Sequence, residues 1–468
     1  MLGKVFKAYD IRALYPNPLN QNTAWKIGYG TGKYLFQQAE QMGETDPMMS
    51  YIIVGQDMRP SSPELSDAVI DGLRHAGANI IRVGLVDTPF IYFAINHLDC
   101  AGGIQTTASH NPIEYNGFKI SGRHARPLGQ DTGLIDVAKF AAMADQMKIK
   151  ATTPPLGRCE DRDLWDDYRE HVLQFLDLNG KDIKVVIDAS NGMAGTMIPG
   201  IFSDIPGLNI VEINFDNTQG EFVHEPNPLV KSNLDQMRAA VRAEKADLGV
   251  CFDGDADRGI FVDENAEIIG SDLLTALLAK FFLDMYPGSP VVYDLRSSKA
   301  VREEIEAAGG VPVRSRVGHV YMKQKLRELD GCFGGELSGH FYFKDNFYTD
   351  SGAIVFATLL TVLGQSKQKL SRLIKPLARY AQSGEINFEN EEKDEALAQL
   401  TERFSDEGEI DELDGVTVDC FDTDGWWMNV RKSNTEPLLR LNLEAKDPDI
   451  VEPIVNEIAP LLGKRVDH

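Results

Sequence analysis

The chain has 468 residues, of which 43% are hydrophobic, 25% charged and 9% aromatic, the make-up of an ordinary globular protein and not of a disordered or collagen-like one. Its 71 acidic and 47 basic side chains leave a net charge of −24, which repels nucleic acid and anionic membranes, so neither is expected as a partner. No apolar run approaches the ~20 residues that span a bilayer, and the opening MLGKVFKAYDIR lacks an apolar signal segment, so a cytoplasmic location is expected.

A unit recurs three times along the chain. In each copy an apolar strand-like run ends in Asp and is followed by a polar turn and a helix-like segment: IIVGQDMRPSSPELSDAV with Asp57, VVIDASNGMAG with Asp188, and VVYDLRSSKAV with Asp294. Pro63, Gly192 and the Ser297–Ser298 pair supply turn or cap chemistry where each helix begins. Apolar runs without alternation, joined by helices, predict buried parallel strands in βαβ units. Each copy also holds a second apolar segment that enters a loop of unusual composition: AGGIQTTASHNP, ADLGVCFDGDADRG and DGCFGGELSGH. Ligands of open α/β sheets bind beyond the carboxyl ends of the strands, so the three loops are expected to converge on one composite site. TTPPLG, Thr152 to Gly157, predicts a linker between the first two units.

Beyond about residue 372 the rhythm stops. The acidic stretch Glu385 to Glu412 predicts a solvated helix surface and not a site. TVDCFDTDGWWMNVRKSNTEPLLRLNLEA then predicts three antiparallel strands and a closing helix near Asp449–Leu462, a small α+β domain. The five cysteines, Cys100, Cys159, Cys251, Cys332 and Cys420, form no CxxC or Cys/His pair and are expected as small buried apolar residues.

Four loops carry chemistry. Ser109 in TTASHNP reads either as a polar turn or as a nucleophile awaiting a base or metal, and the neighbouring His110 does not decide between them. Asp253, Asp255 and Asp257 in DGDADR alternate along a loop after an apolar run, so three hard carboxylates can point at one centre, as Mg²⁺ or Ca²⁺ requires. Glu264 would complete an EF-hand, but Arg258 stands where that loop needs Gly and the flanks read as strands, so the EF-hand is rejected. Three protein ligands leave room for a phosphate oxygen. Glu336 and Ser338, set among glycines in GGELSGH, suit recognition of vicinal sugar hydroxyls, or form a hairpin turn. Arg431, Ser433, Asn434 and Thr435 in RKSNTEP match a phosphate monoester, or a capped helix start. A local cationic pocket of this kind outweighs the distant negative total, because screening acts over ~8 Å.

With these four motifs in order, the sequence resembles the α-D-phosphohexomutase superfamily, in its phosphomannomutase/phosphoglucomutase branch, over essentially the whole chain; FKAYDIR and NGFKI also match family segments. The resemblance implies an α/β fold of three similar domains with mixed sheets and a smaller α+β C-terminal domain around a central cleft, divided at 1–153, 154–266, 267–372 and 373–468. It implies that Ser109 is phosphorylated in the active form, that a phosphoserine oxygen joins Asp253, Asp255 and Asp257 on Mg²⁺, and that Arg258 lies beside the phosphate. Glu336 and Ser338 would bind the 3- and 4-hydroxyls. Arg431, Ser433, Asn434 and Thr435 would bind the non-reacting phosphate. Tyr9, Arg12, Lys119 and His319 would line the cleft. Arg296 stands where the branch commonly has Lys, which keeps the charge and changes the geometry.

The activity implied is interconversion of hexose 1-phosphate and hexose 6-phosphate, of mannose or glucose, with hexose 1,6-bisphosphate as activator and reorienting intermediate. Proton transfer would fall to His340, Lys119 or Arg12. Phosphorylated hexoses are the expected partners and a monomer or dimer the expected assembly. Leu337 fits neither the phosphoglucosamine mutase nor the strict phosphoglucomutase form of its loop. A haloacid-dehalogenase-type transferase with Asp253 as nucleophile would leave TTASHNP and RKSNTEP without a role, and a non-enzymatic sugar-phosphate sensor would not need a phosphoryl carrier.

Overall fold

The computed structural model describes residues 2–152, 157–433 and 437–466. Each predicted strand–turn–helix unit is present. Tyr51–Gln56 is followed by the helix Ser62–Ala76, Ile183–Asp188 by Ala194–Phe202, and Pro290–Asp294 by Lys299–Ala307. Pro63 lies in the first turn of its helix, and Ser298 caps its own by accepting the Ala300 N–H, as the fixed φ of Pro and the short Ser side chain favour.

The chain divides into two compact units, Met1–Ile269 with Ser338–Ser371, and Gly270–Leu337 with Arg372–His468. The first unit holds two mixed sheets. One runs Ile11–Leu14, Tyr115–Gly122, Gly102–Thr106, Tyr51–Gln56, Asn79–Leu85, Cys159–Asp161, and the other Gly259–Asp263, Leu248–Phe252, Ile183–Asp188, Leu208–Ile213. In both, the Asp-ending strand lies parallel to the strand that feeds the chemical loop, so the loops after both strands leave the sheet at its carboxyl end. The same unit contains the hairpin Phe341–Phe343 with Thr349–Asp350 and the buried helix Gly352–Gln365. That helix holds the longest apolar run, and no helix among the described residues is long and apolar enough to cross a membrane.

In the second unit Pro290–Asp294 pairs in parallel with Val311–Ser315 and Phe333–Gly335, the third copy of the arrangement. The C-terminal part is an antiparallel sheet ordered Glu409–Asp411, Val416–Cys420, Trp426–Lys432, Leu438–Ala445, Ala381–Glu389, Lys464–Val466. One face of it, with Trp426, Met428, Val430, Leu441, Leu443 and Phe388, is buried with residues of the helices Lys393–Phe404 and Pro448–Leu462. Strict alternation puts Trp427, Asn429 and Arg431 on the other face.

Two expectations are corrected. Cys159 is exposed, because it lies in the edge strand Cys159–Asp161, where all three residues face solvent. The acidic stretch is not all helix surface: its first residues belong to the strand Ala381–Glu389, which is held by hydrogen bonds to Leu438–Ala445 that no local pattern announces. Most of the TTPPLG linker lies outside the described residues.

Candidate active site

In the first unit the first two loops meet. Ser109 is buried, and its Oγ donates to Asp253 Oδ2 at 2.9 Å. Its backbone is left-handed, φ 50°, a conformation that costs a non-glycine residue about 1–3 kcal/mol and is kept where surroundings impose it. The imposing residue is Arg59, 1% exposed. Its Nε donates to Asp57 Oδ2, its NH1 to the carbonyls of Pro112 and Tyr115, and its NH2 to those of Ser109 and Asn111, at 2.6–3.1 Å. Close approach of the second loop needs Gly254, since a Cβ there would lie 2.3 Å from the Ser109 carbonyl oxygen.

Asp253, Asp255 and Asp257 are buried and offer carboxylate oxygens within 4.8 Å of one another. Lys119 Nζ donates to Asp255 Oδ2 at 2.6 Å and to Asp257 Oδ2 at 2.5 Å. Burial opposes the Lys119 charge, but the three aspartates outweigh it and its pKa is raised. For Asp257, burial is likewise outweighed by Lys119 and His340, which hold it well below the usual carboxylate range. Asp253 is pushed well above that range by burial and by repulsion from Asp257 and Asp255. Asp255 Oδ1 is buried with no hydrogen-bond partner among the described residues, and buried Asp257 Oδ1 faces His340 Nε2 at 3.4 Å. An all-oxygen set with an unpartnered carboxylate oxygen on Asp255 fits a hard divalent cation. The backbone of Asp255 is held by the Thr88 N–H at 3.1 Å, and its Oδ2 accepts from Thr88 Oγ1 at 2.5 Å.

The other predicted residues of this unit gather around the pair of loops. His110 Nδ1 is 3.3 Å from Ser109 Oγ, and burial together with Arg258, Arg12 and Lys119 keeps its pKa well below the ordinary value, so the ring is neutral. Arg258 Nε lies 3.2 Å from His340 Nε2, which is also 3.4 Å from Asp257 Oδ1, and His340 Nδ1 is 2.8 Å from Ser338 Oγ. The Gly259 N–H donates to the Gly339 carbonyl at 3.1 Å, which brings the Ser338–His340 part of the third loop to the metal loop. Arg12 donates to Asn111 and Asp10. Tyr9 is half-buried.

In the second unit Arg296 donates to Asp294 through Nε and NH2, at 3.2 and 2.8 Å. Glu336, 1% exposed, accepts the Gly318 N–H at 2.8 Å and so holds the turn before His319. Arg431, buried with Ser433 nearby in sequence, donates to Glu385 at 3.3 Å. Asn434 and Thr435 lie outside the described residues.

Sequence reasoning passed over Arg59, Thr88 and Glu385. A signal for Arg59 existed: Asp57-Met58-Arg59 has the same spacing as Asp294-Leu295-Arg296, and in both the Arg donates back to the strand-ending Asp. Thr88 and Glu385 carry no motif.

Descriptions of the phosphoglucomutase/phosphomannomutase domains match in chain order: alpha/beta/alpha domain I over residues 3–139, domain II over 166–267, domain III over 270–380 and the C-terminal domain over 385–461. The chain is 37% identical to a phosphomannomutase of Salmonella montevideo over 466 residues, 98% of each chain. It is 30% identical, with a TM-score of 0.86, to the crystal structure of a phosphoglucomutase/phosphomannomutase family protein from Burkholderia thailandensis, covering 98% of this chain and 96% of that one. An Aspergillus fumigatus N-acetylphosphoglucosamine mutase, solved with GlcNAc-6P and magnesium, shares the fold at 14% identity and a TM-score of 0.57 over 80% of this chain and 90% of that one. The fold and these relatives define an intramolecular phosphotransferase that acts on phosphosugars. The chain belongs to the phosphoglucomutase/phosphomannomutase family. The haloacid-dehalogenase and sensor readings are not favoured.

Proposed function

We propose that this chain interconverts the 1- and 6-phosphates of mannose and of glucose by carrying a phosphoryl group on Ser109. The observation that carries the reading is the 2.9 Å bond from Ser109 Oγ to Asp253 Oδ2, which joins the hydroxyl of one loop to the carboxylate cluster of the next. Asp253, Asp255 and Asp257, with an oxygen of phosphorylated Ser109, would hold Mg²⁺, as the donor chemistry and the magnesium in the Aspergillus mutase support. Bound there, the ion would withdraw charge from the phosphoryl oxygens.

In the first half-reaction the P–Oγ bond of phospho-Ser109 breaks as phosphorus bonds to the free hydroxyl oxygen of the substrate. The hydroxyl proton ends on Ser109 Oγ, so charge and atoms balance. His110, whose Nδ1 is 3.3 Å from Oγ, would relay that proton, while cationic Lys119 would neutralise charge. Arg258 adds a guanidinium beside the same loop, and Arg12 and Tyr9 line it. The hexose 1,6-bisphosphate then turns, and its other phosphate returns to Ser109. Glu336 and Ser338 read the ring hydroxyls, with His340 orienting Ser338. Arg296, His319, Arg431 and Ser433, with Asn434 and Thr435, take the phosphate that is not reacting. Phosphoryl transfer needs positioning and charge neutralisation above all, the roles proposed here for these residues.

The test is Ser109→Ala, assayed by coupled conversion of glucose 1-phosphate and of mannose 1-phosphate with catalytic bisphosphate. Turnover should vanish while Mg²⁺ still binds, and mass spectrometry of the parent protein should find the phosphate on Ser109. Wild-type turnover in the variant, or phosphate on an aspartate, would sink the reading.

A further inference from the structure

The polar face of the C-terminal sheet carries a carboxylate that the reaction scheme leaves unused. Glu385 sits among three guanidiniums. Its Oε2 accepts from Arg296 NH1 at 3.2 Å and from Arg431 NH2 at 3.3 Å, and its Oε1 lies 3.3 Å from Arg440 NH1. Two of these arginines belong to the subsite proposed for the non-reacting phosphate. Arg431 Nε is buried without a hydrogen-bond partner among the described residues, so the cluster keeps donor capacity beyond what Glu385 takes.

The strand register puts Glu385 there. Ile386 and Phe388 pair with Leu441 and Leu439 and are buried in the core, so alternation along the strand aims Glu385 at the opposite face. That face also carries Arg431 and Arg440, which pair across neighbouring strands. Between Gln382, which pairs with Glu444, and Glu385, which pairs with Asn442, one extra residue is accommodated, and Gly384 takes a left-handed φ of 68° there. This bulge brings Gln382 to the same face.

We propose that Glu385 is a resident counter-ion of the phosphate subsite that limits how tightly the arginines hold a phosphoryl group. The inference rests on the assignment of Arg296 and Arg431 to the non-reacting phosphate. An arriving phosphate shares Arg296 and Arg431 with a carboxylate already bonded to both. It therefore gains less than it would from the arginines alone, and it meets the repulsion of a like charge. Asp294, bonded to Arg296, contributes in the same sense. In a reaction whose bisphosphate must release each phosphate once per turnover, a fork without this opposing charge would hold the intermediate too firmly. Ground-state binding beyond what the transition state gains lowers turnover.

The test is Glu385→Gln, which keeps the side-chain shape and removes the charge. Affinity for inorganic phosphate, read by titration calorimetry on the full chain, should rise about tenfold or more, by the size of a charge–charge term near a protein surface. In the mutase assay kcat and KM should fall together, the signature of an overbound ground state. If Glu385 only held the arginines in place, the variant would bind phosphate more weakly and KM would rise, and that result, or an unchanged affinity, overturns the proposal. Arg431→Ala separates the two layers: phosphate binding to the parent that Arg431→Ala leaves intact refutes the subsite assignment. Binding that Arg431→Ala abolishes and Glu385→Gln does not tighten refutes the counter-ion alone.

Discussion

Arg59 is placed to hold the serine loop, and replacing it with Lys asks how much of the site's geometry that one side chain imposes. The guanidinium makes five hydrogen bonds, one to Asp57 and four to carbonyls of residues 109, 111, 112 and 115. An ammonium has three N–H groups and no planar fork, so at least two of the five bonds are lost in a site from which water is excluded. At about 1.5–3 kcal/mol for each bond to a charged donor, the loss is about 3–6 kcal/mol. It falls on a loop whose Ser109 is in the left-handed region and can relax once released. At a factor of ten per 1.4 kcal/mol, turnover should fall about 100-fold or more. The coupled mutase assay reads the turnover, and amide hydrogen exchange over residues 107–115 reads the loop, which should exchange faster. Turnover within twofold of the parent, with unchanged exchange, would refute the view that Arg59 imposes this conformation.

Thr88→Val removes the hydroxyl bond to Asp255 Oδ2 and should weaken Mg²⁺ binding about tenfold, as loss of a partner behind a metal ligand does. Thr88→Ser should restore it, and equal Mg²⁺ affinity in all three proteins would count against the role. Asp87, with Tyr168 OH donating to it at 2.9 Å, is pushed up by burial from 3.8 to about 7. A raised carboxyl pKa favours the folded state fully below pH 4, and that contribution is lost as pH climbs through about 7. At about 1.4 kcal/mol per pH unit, the total is of the order of 4 kcal/mol. Asp87→Asn should therefore flatten urea-unfolding stability between pH 4 and pH 7, and a parent-like slope in the variant would exclude Asp87 as its source.

Much of the fold could be read from local pattern. Apolar runs ending in Asp57, Asp188 and Asp294 became strands, each beside a second strand that feeds a chemical loop, because buried parallel strands need continuous apolar residues and little else. Ser109 and the three aspartates were legible for a related reason: their loops carry residue types that a plain turn does not require. The strand Ala381–Glu389 was not legible, since its partner residues lie about fifty to sixty-five residues onward and its acidic composition suits a solvated helix equally well.

Residue type and spacing were enough to name the groups that do chemistry and the strand ends that carry them, because both are short-range properties of the chain. Folding in three dimensions decided who holds those groups. Arg59 reaches fifty residues along the chain to the Ser109 carbonyl, Thr88 bonds Asp255 across 167 residues, and Glu385 meets Arg296 across 89 residues and Arg431 across 46. Such contacts depend on which strands become neighbours, and that is not written in any local run of side chains.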